Sequence, residues 1–373
     1  MDVLAVDLIP NPIDRIVRHD PWVPPADIRF ISADDHLLEV DHLFEDRLPA
    51  KFRARAPKVW RDKASGQVHV EINGRAFDPP GIGNIGHECP GFWDRDERLK
   101  AMDGEGIQAS VLYHGQAQAL NTLIAEDPEL YFACMEVYNE WVAEYTAPAR
   151  GRLVGTAILP SFVKPETAHD QMQKLKELGF RTVQMPSYPR GKRYNSREMD
   201  PIWEAVVESG LMLSFHVTAT MEFSGWGSLG ANLNRNFSPF RPLLGQLVFS
   251  GVFDRHPDLQ VVFAEGGATW VADTITGMDR VARCYHSILK PRLPQLPSYY
   301  WKRNCYATFM DDPIAMRLLD IIGADRVMWS LDYPHPEGVF GYAADVAKSI
   351  YDVVGHDNAK MILGGTAARL YKL

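Results

Sequence analysis

Arg29-Phe-Ile-Ser-Ala-Asp-Asp-His36 starts as an apolar run and ends on two acids and an imidazole. The run reads as a buried strand, and side chains two apart on a strand project together, so Asp34 and His36 are expected to face the same way. The same arrangement recurs three times. Leu211-Met-Leu-Ser-Phe precedes His216, Val261-Val-Phe-Ala precedes Glu265, and Arg326-Val-Met-Trp-Ser-Leu precedes Asp332 and His335. These metal-capable side chains are scattered over about 300 residues. In a closed barrel of parallel strands, however, the strand ends converge on one face, where active sites are built.

The intervening sequence supports that architecture. Strand-like runs also occupy about 109–113, 153–159, 181–185 and 304–308, and helical patterns fall at about 94–105, 121–147, 164–178, 201–209, 242–253, 269–289 and 313–322. Strands alternating with helices argue for a parallel sheet, and eight such units argue for closure. The fold class is therefore α/β, a single (β/α)8 TIM barrel over residues 28–373, preceded by an arm over 1–27. The arm carries five prolines and no sustained period, which suits packing on the domain or on a partner subunit. Residues about 39–93 form an insertion after the first strand. Its alternating Gln67-Val-His-Val-Glu-Ile and the following Asn73-Gly74 predict a hairpin. Its tail, Pro79-Pro-Gly-Ile-Gly-Asn-Ile-Gly86, reads as a lid.

Composition narrows the function class. Hydrophobic residues at 46% and charged residues at 23% describe a soluble globular protein. A net charge of -9 without a basic run gives no support to nucleic-acid binding. Cys89, Cys134, Cys284 and Cys305 lack paired spacing, so free thiols in a reducing compartment are expected rather than a zinc module or disulfide framework. Gly266 and Gly267 lack the spacing of a dinucleotide fingerprint. The N-terminus lacks the pattern of a signal peptide, and no apolar run is long enough to cross a bilayer. The expectation is a cytoplasmic homo-oligomeric enzyme acting on a small molecule, with no nucleic-acid or membrane partner.

Taken singly, each polar strand end has a plain structural account. Asp34 and His36 suit a surface turn, His216 a hydrogen-bonded core histidine, and Glu265 a neighbour of the helix start near Thr269. Asp332 is harder to dismiss, because an unpaired carboxylate beside a buried strand is costly and a metal or imidazole relieves that cost. Together the set suits a divalent ion such as zinc, manganese or iron. Three carboxylates around one ion leave excess negative charge, which a second ion held by Glu265 and His335 would balance. Arg190 and Arg235 are candidates to bind a substrate carboxylate, and Trp226, in Gly225-Trp-Gly227, to cover the mouth.

Ile31-Ser-Ala-Asp-Asp-His36, Phe215-His216, Phe263-Ala-Glu-Gly-Gly-Ala-Thr-Trp270, Ser330-Leu-Asp-Tyr-Pro-His335 and Leu363-Gly-Gly-Thr-Ala-Ala-Arg-Leu-Tyr371 follow one another in order. With these elements the chain resembles the amidohydrolase-related group of the amidohydrolase superfamily, the branch similar to aminocarboxymuconate-semialdehyde decarboxylase. The resemblance implies a (β/α)8 barrel with an ion held by Asp34, His36, His216 and Asp332. Asp34-x-His36 is closer to the acidic-x-His of aromatic-acid decarboxylases than to the His-x-His of many hydrolases. Those decarboxylases usually carry a histidine after strand six, where this chain has Glu265.

The leading expectation is metal-dependent hydrolysis of a small carboxylated or aromatic substrate. An ion lowers the pKa of bound water, Asp332 accepts its proton, and the ion or His335 polarises the scissile carbonyl, with Glu265 as a further acid or base. One zinc ion is expected, with manganese or iron as alternatives and two ions as the competing count. The other readings are non-oxidative decarboxylation of an aromatic or unsaturated acid, dinuclear-iron oxygenation, and a catalytically silent structural subunit.

Overall fold

Eight parallel strands carry the eight apolar runs: β1 (Ile31–Leu37), β2 (Ala109–His114), β3 (Leu153–Ile158), β4 (Thr182–Pro186), β5 (Met212–His216), β6 (Val261–Ala264), β7 (Cys305–Phe309) and β8 (Val327–Trp329). They pair in chain order from β1 to β8. The computed structural model describes residues 12–15, 22–62, 67–77, 88–188, 191, 193–217, 223–236 and 240–373. The expected lid over Pro79 to Gly86, most of the arm and Arg190 therefore lie outside the described residues. No helix among the described residues is long and apolar enough to cross a membrane.

Alternation along each strand builds two apolar layers. One face supplies Ile31, Ala33, Val111, Val154, Met212, Val262 and Met328, which pack with Tyr371 and Ala367 of the C-terminal helix. The other supplies Leu37, Leu112, Leu213, Phe215, Phe263 and Trp329 to the larger core shared with the surrounding helices. The strands are buried on both faces, which is why the sequence shows continuous apolar runs rather than alternation.

The strand β1 breaks its own alternation. Ser32 pairs with Ser110 but Asp35 pairs with Leu112, so Ala33 and Asp34 together oppose Val111 in a bulge. Without it Asp35 would follow Ile31 and Ala33 to the inner face; the extra residue shifts the phase and turns Asp34 and His36 inward instead. Asp35 accepts from the Tyr333 N–H at 2.8 Å and from the Ser110 hydroxyl.

Closure of the barrel runs through the same residues. The Asp332 N–H donates to the Asp34 carbonyl at 2.9 Å and the His36 N–H to the Tyr333 carbonyl at 2.8 Å. Beside them the Leu331 N–H donates to Ser32 Oγ at 2.8 Å. The last strand and the first are thus joined at the acid and histidine positions.

Several sequence-based boundaries change for local reasons. The expected helix over 121–147 is interrupted at Asp127, whose carboxylate accepts from the Leu130 N–H and caps Pro128–Thr146, with proline at its first turn. The helix from Thr269 ends at Cys284, not near 289, and the one expected over 313–322 shrinks to Leu319–Ile322 after a tight turn. Two helices, Ser228–Asn236 and Pro297–Asn304, had no period strong enough to announce them. The inserted hairpin is present as Val68–Ile72 and Arg75–Ala76, turning through Asn73 and Gly74 at φ 52 and 73, and gains a third strand, Lys58–Arg61.

Gly364, in the closing segment, packs against the start of β1. A Cβ there would lie 2.3 Å from the Arg29 carbonyl oxygen, which is backbone and cannot swing aside. Gly364→Ala is expected to cost about 1–3 kcal/mol through overpacking, read as a lower urea midpoint at unchanged slope.

Candidate metal centre

Six side chains from four strand ends meet at the barrel mouth. Asp34 and His36 come from β1, His216 ends β5, Glu265 follows β6, and Asp332 and His335 follow β8. Asp34 and Asp332 are 0% exposed, and His36, His216 and Glu265 are 2%, 3% and 4% exposed. Only His335 among the six reaches solvent appreciably, with 28% of its side chain exposed.

Backbone hydrogen bonds set the imidazoles. The ring Nδ1 of His36 lies 2.7 Å from the His114 carbonyl, and that of His216 lies 2.8 Å from the Val217 carbonyl. A carbonyl only accepts, so each Nδ1 carries the proton and each Nε2 is turned toward the carboxylates. His36 Nε2 is 3.2 Å from both Glu265 Oε2 and Asp332 Oδ1. His216 Nε2 is 2.7 Å from Glu265 Oε2 and 3.3 Å from Asp34 Oδ1. His335 stacks on His36 with ring centroids 3.9 Å apart and places Nδ1 3.3 Å from Asp332 Oδ1.

The carboxylates are held in unusual backbone geometry. Glu265 and Asp332 adopt φ of 69 and 55, in the left-handed region that side-chain-bearing residues rarely occupy. Thr308, on β7, steadies one of them: its hydroxyl accepts from the Glu265 N–H at 2.7 Å and donates to Asp34 Oδ2 at 3.0 Å. Behind β1, the fully buried Arg98 donates to the His36 carbonyl. Such strain concentrates where a site must aim its side chains.

The electrostatics follow from burial. Burial raises the Asp34 carboxyl above its ordinary value, opposed by His216 and His36. Burial would also raise Glu265, but the His216 and His36 imidazoles beside it hold it well below the usual range. Burial works against an imidazolium at His216, yet Glu265 and Asp34 push it up to about 10, and Asp332 and Glu265 likewise raise His36. Protons on the imidazoles thus neutralise the carboxylates. Asp34 Oδ1 and both Asp332 oxygens nevertheless have no well-placed donor among the described residues. Buried acceptors left in this way fit a cation.

The ligand atoms fall into two overlapping groups, each within 4.8 Å: Asp34, His36, His216 and Glu265, and His36, Glu265, Asp332 and His335. The set implied by the resemblance is therefore divided, with Glu265 joining the first three and Asp332 belonging to the neighbouring group. Arg235 lies half-buried on the helix Ser228–Asn236, 3.4 Å from the Tyr188 hydroxyl, while Trp226 is fully exposed. Sequence reading passed over His114 and Thr308. His114 follows an apolar strand just as His216 does, so the same signal was available; Thr308 gave none, because a threonine ending a strand is ordinary. Burial, then His216 and His36, hold the His114 ring well below its usual pKa, so it is neutral.

A family model described as Amidohydrolase matches residues 67–373. The chain is 22% identical to 2-amino-3-carboxymuconate-6-semialdehyde decarboxylase of Dictyostelium discoideum over 256 residues, 66% of this chain and 68% of that protein. It is 24% identical to gamma-resorcylate decarboxylase of Polaromonas sp. over 308 residues, 75% of this chain and 87% of that protein. Among solved structures it is similar to 5-carboxyvanillate decarboxylase of Novosphingobium aromaticivorans, crystallised as a mutant with bound manganese and a nitrobenzoic acid. That likeness has a TM-score of 0.70 and 18% identity, over 95% of this chain and 100% of the other.

If protons neutralise the cluster until a cation replaces them, metal uptake must release protons. Titration with manganese in buffers of different ionisation enthalpy is expected to show about one to two protons released per ion, and affinity that falls as pH is lowered. Manganese at about 100 times its dissociation constant should stabilise the fold by about 2.7 kcal/mol in thermal melts.

Proposed function

This chain belongs to the amidohydrolase family, and on that footing we propose that it is a metal-dependent carboxy-lyase that releases carbon dioxide from a small aromatic or unsaturated acid without an oxidant. The observation that carries the reading is the activity of its curated relatives, two different decarboxylases aligned over 66% and 75% of this chain. This moves decarboxylation ahead of hydrolysis, the leading expectation from sequence. Hydrolysis keeps one observation in its favour: Glu265 stands where such decarboxylases usually have histidine.

Asp34, His36, His216 and Glu265 would hold the ion, and Asp332 borders the seat, 3.2 Å from the same His36 nitrogen. When bound, a divalent ion supplies positive charge for the substrate carboxylate and a neighbouring oxygen. We place one ion there rather than two, because both groups share His36 and its Nδ1 is already committed to the His114 carbonyl. Manganese is put ahead of zinc or iron, since a carboxylate-rich set suits the harder ion.

The chain's own residues handle the proton. As the bond to the carboxylate carbon breaks, its electron pair stays on the substrate carbon, and a proton must arrive there: the acid anion plus one proton gives the decarboxylated product plus carbon dioxide. Asp332 delivers that proton and recovers it from solvent through His335, which lies 3.3 Å away and is the member of the cluster with solvent access.

Manganese-loaded protein incubated with gamma-resorcylate and 5-carboxyvanillate is expected to release carbon dioxide from at least one. Asp332→Asn should lower that rate on the order of 10²- to 10⁴-fold while keeping its manganese. Cleavage of esters or amides without carbon dioxide would overturn the reading in favour of hydrolysis. Glu265→Ala is expected to take bound manganese from about one ion per chain toward none; a fall from about two to one would instead establish the second site.

A further inference from the structure

Beyond His335 the chain returns to the helix Ala343–Val354 through turns alone, and several of its backbone groups are taken up by two side chains of opposite charge. Arg15, which follows the short turn Pro12–Asp14 of the N-terminal arm, donates Nη1 to the Gly338 carbonyl at 2.7 Å and to the Phe340 carbonyl at 3.2 Å. Its Nη2 donates to the Pro336 carbonyl. Glu105 takes the other polarity, accepting from the Gly341 N–H at 3.0 Å and the Ala343 N–H at 3.2 Å. One guanidinium thus collects three carbonyls from a segment 321 to 325 residues away.

That segment folds tightly back over the end of β8. The Gly338 N–H donates to the His335 carbonyl at 3.1 Å and the Val339 N–H to the Leu331 carbonyl at 2.8 Å. A Cβ at Gly338 would lie 2.5 and 2.6 Å from the Leu331 and Asp332 carbonyl oxygens, and one at Gly341, at φ 91, would lie 2.7 Å from the Arg15 Cβ. Arg15 therefore bears on the same short loop from which Asp332 and His335 project. A displaced Pro336 carbonyl displaces the residue beside it, and the His335 ring stacks on His36 at 3.9 Å with its Nδ1 3.3 Å from Asp332 Oδ1.

The choice of arginine is costly for mere coverage. Half-burying a guanidinium removes it from water, and that burial pulls its pKa down. An apolar side chain of similar length would cover the Tyr342 ring, over which the Arg15 guanidinium lies at 5.5 Å, without that cost. A planar fork of N–H groups serves three separate carbonyls in a way that the point charge of lysine does not.

We propose that Arg15 is a positioning residue: from the N-terminal arm it fixes the loop that follows His335, and so holds the His335 ring against His36 and Asp332. Its effect on turnover rests on the reading of Asp332 and His335 as the proton path. Arg15 precedes residues 67–373, the stretch matched by the family model, so this brace belongs to the chain's own arm.

Arg15→Met is compared with the wild-type protein in two ways. With whichever of gamma-resorcylate and 5-carboxyvanillate releases carbon dioxide, kcat is expected to fall on the order of ten- to a hundredfold while KM and bound manganese change little. In the metal-free protein, the His335 ring resonances, assigned by their loss in His335→Asn, are expected to move as the ring leaves its stack on His36. An unchanged kcat, or His335 resonances that stay in place, overturns the proposal; a fall in activity that merely tracks lost manganese or lost fold, with the resonances unmoved, makes Arg15 a stability residue. If the wild-type protein releases no carbon dioxide, the proton-path reading falls and the resonances decide the brace by themselves, sustained by movement and overturned by none. Should Arg15→Met fail to fold, Arg15→Lys, which keeps the charge and loses the fork, is expected to show the same changes to a smaller degree, and their absence overturns the proposal.

Discussion

Three carboxylates, Asp34, Glu265 and Asp332, sit almost wholly out of water within reach of one another, and the mouth of the barrel is organised around neutralising them. Burying like charges together is among the most expensive arrangements a fold can contain. Three imidazoles interleave with the acids at 2.7 to 3.3 Å, so that their protons serve as the counter-charge. A scaffold without chemistry has no reason to assemble such a set, because well-packed apolar residues in its place would be as stable or more so.

The remaining structure keeps that cluster in place. The bulge in β1 decides which of Asp34 and Asp35 faces inward, and the backbone-to-backbone hydrogen bonds that join the end of β8 to β1 start or end on Asp34, His36 and Asp332. Barrel closure and site assembly are thereby one event. The left-handed backbone at Glu265 and Asp332 is maintained by bonds from outside their own strands, from Thr308 on β7 and from the Asp34 carbonyl. Arg98 carries a positive charge to the back of β1, beside Asp35, where burial pushes the carboxyl up to about 6 against the pull of the guanidinium. The cluster is thus braced from the outer face of the sheet as well as from within.

Function divides between charge and neutrality. The six-residue cluster suits a cation, and the small adjoining cavity is bordered by amides, imidazoles and apolar groups. His216 belongs to both regions and so fixes their separation. His335, at the rim, is the member of the cluster that connects the buried acids to solvent.

The sequence by itself determined the eight strands, their order, and the six polar positions at their ends, because burial on both sheet faces writes continuous apolar runs and leaves each polar terminus conspicuous. It also held the inserted hairpin, through Asn73-Gly74, whose left-handed turn few other pairs adopt. Only the tertiary structure decided which acids stand close enough to share an ion. Spacing along a chain fixes the face of a strand only while alternation is unbroken, and the bulge at Ala33 and Asp34 breaks it. The grouping of Glu265 with Asp34, His36 and His216 and the tie through Thr308 are contacts between strands far apart in sequence. Such contacts depend on the stagger and closure of the whole barrel, which no local pattern of residues encodes.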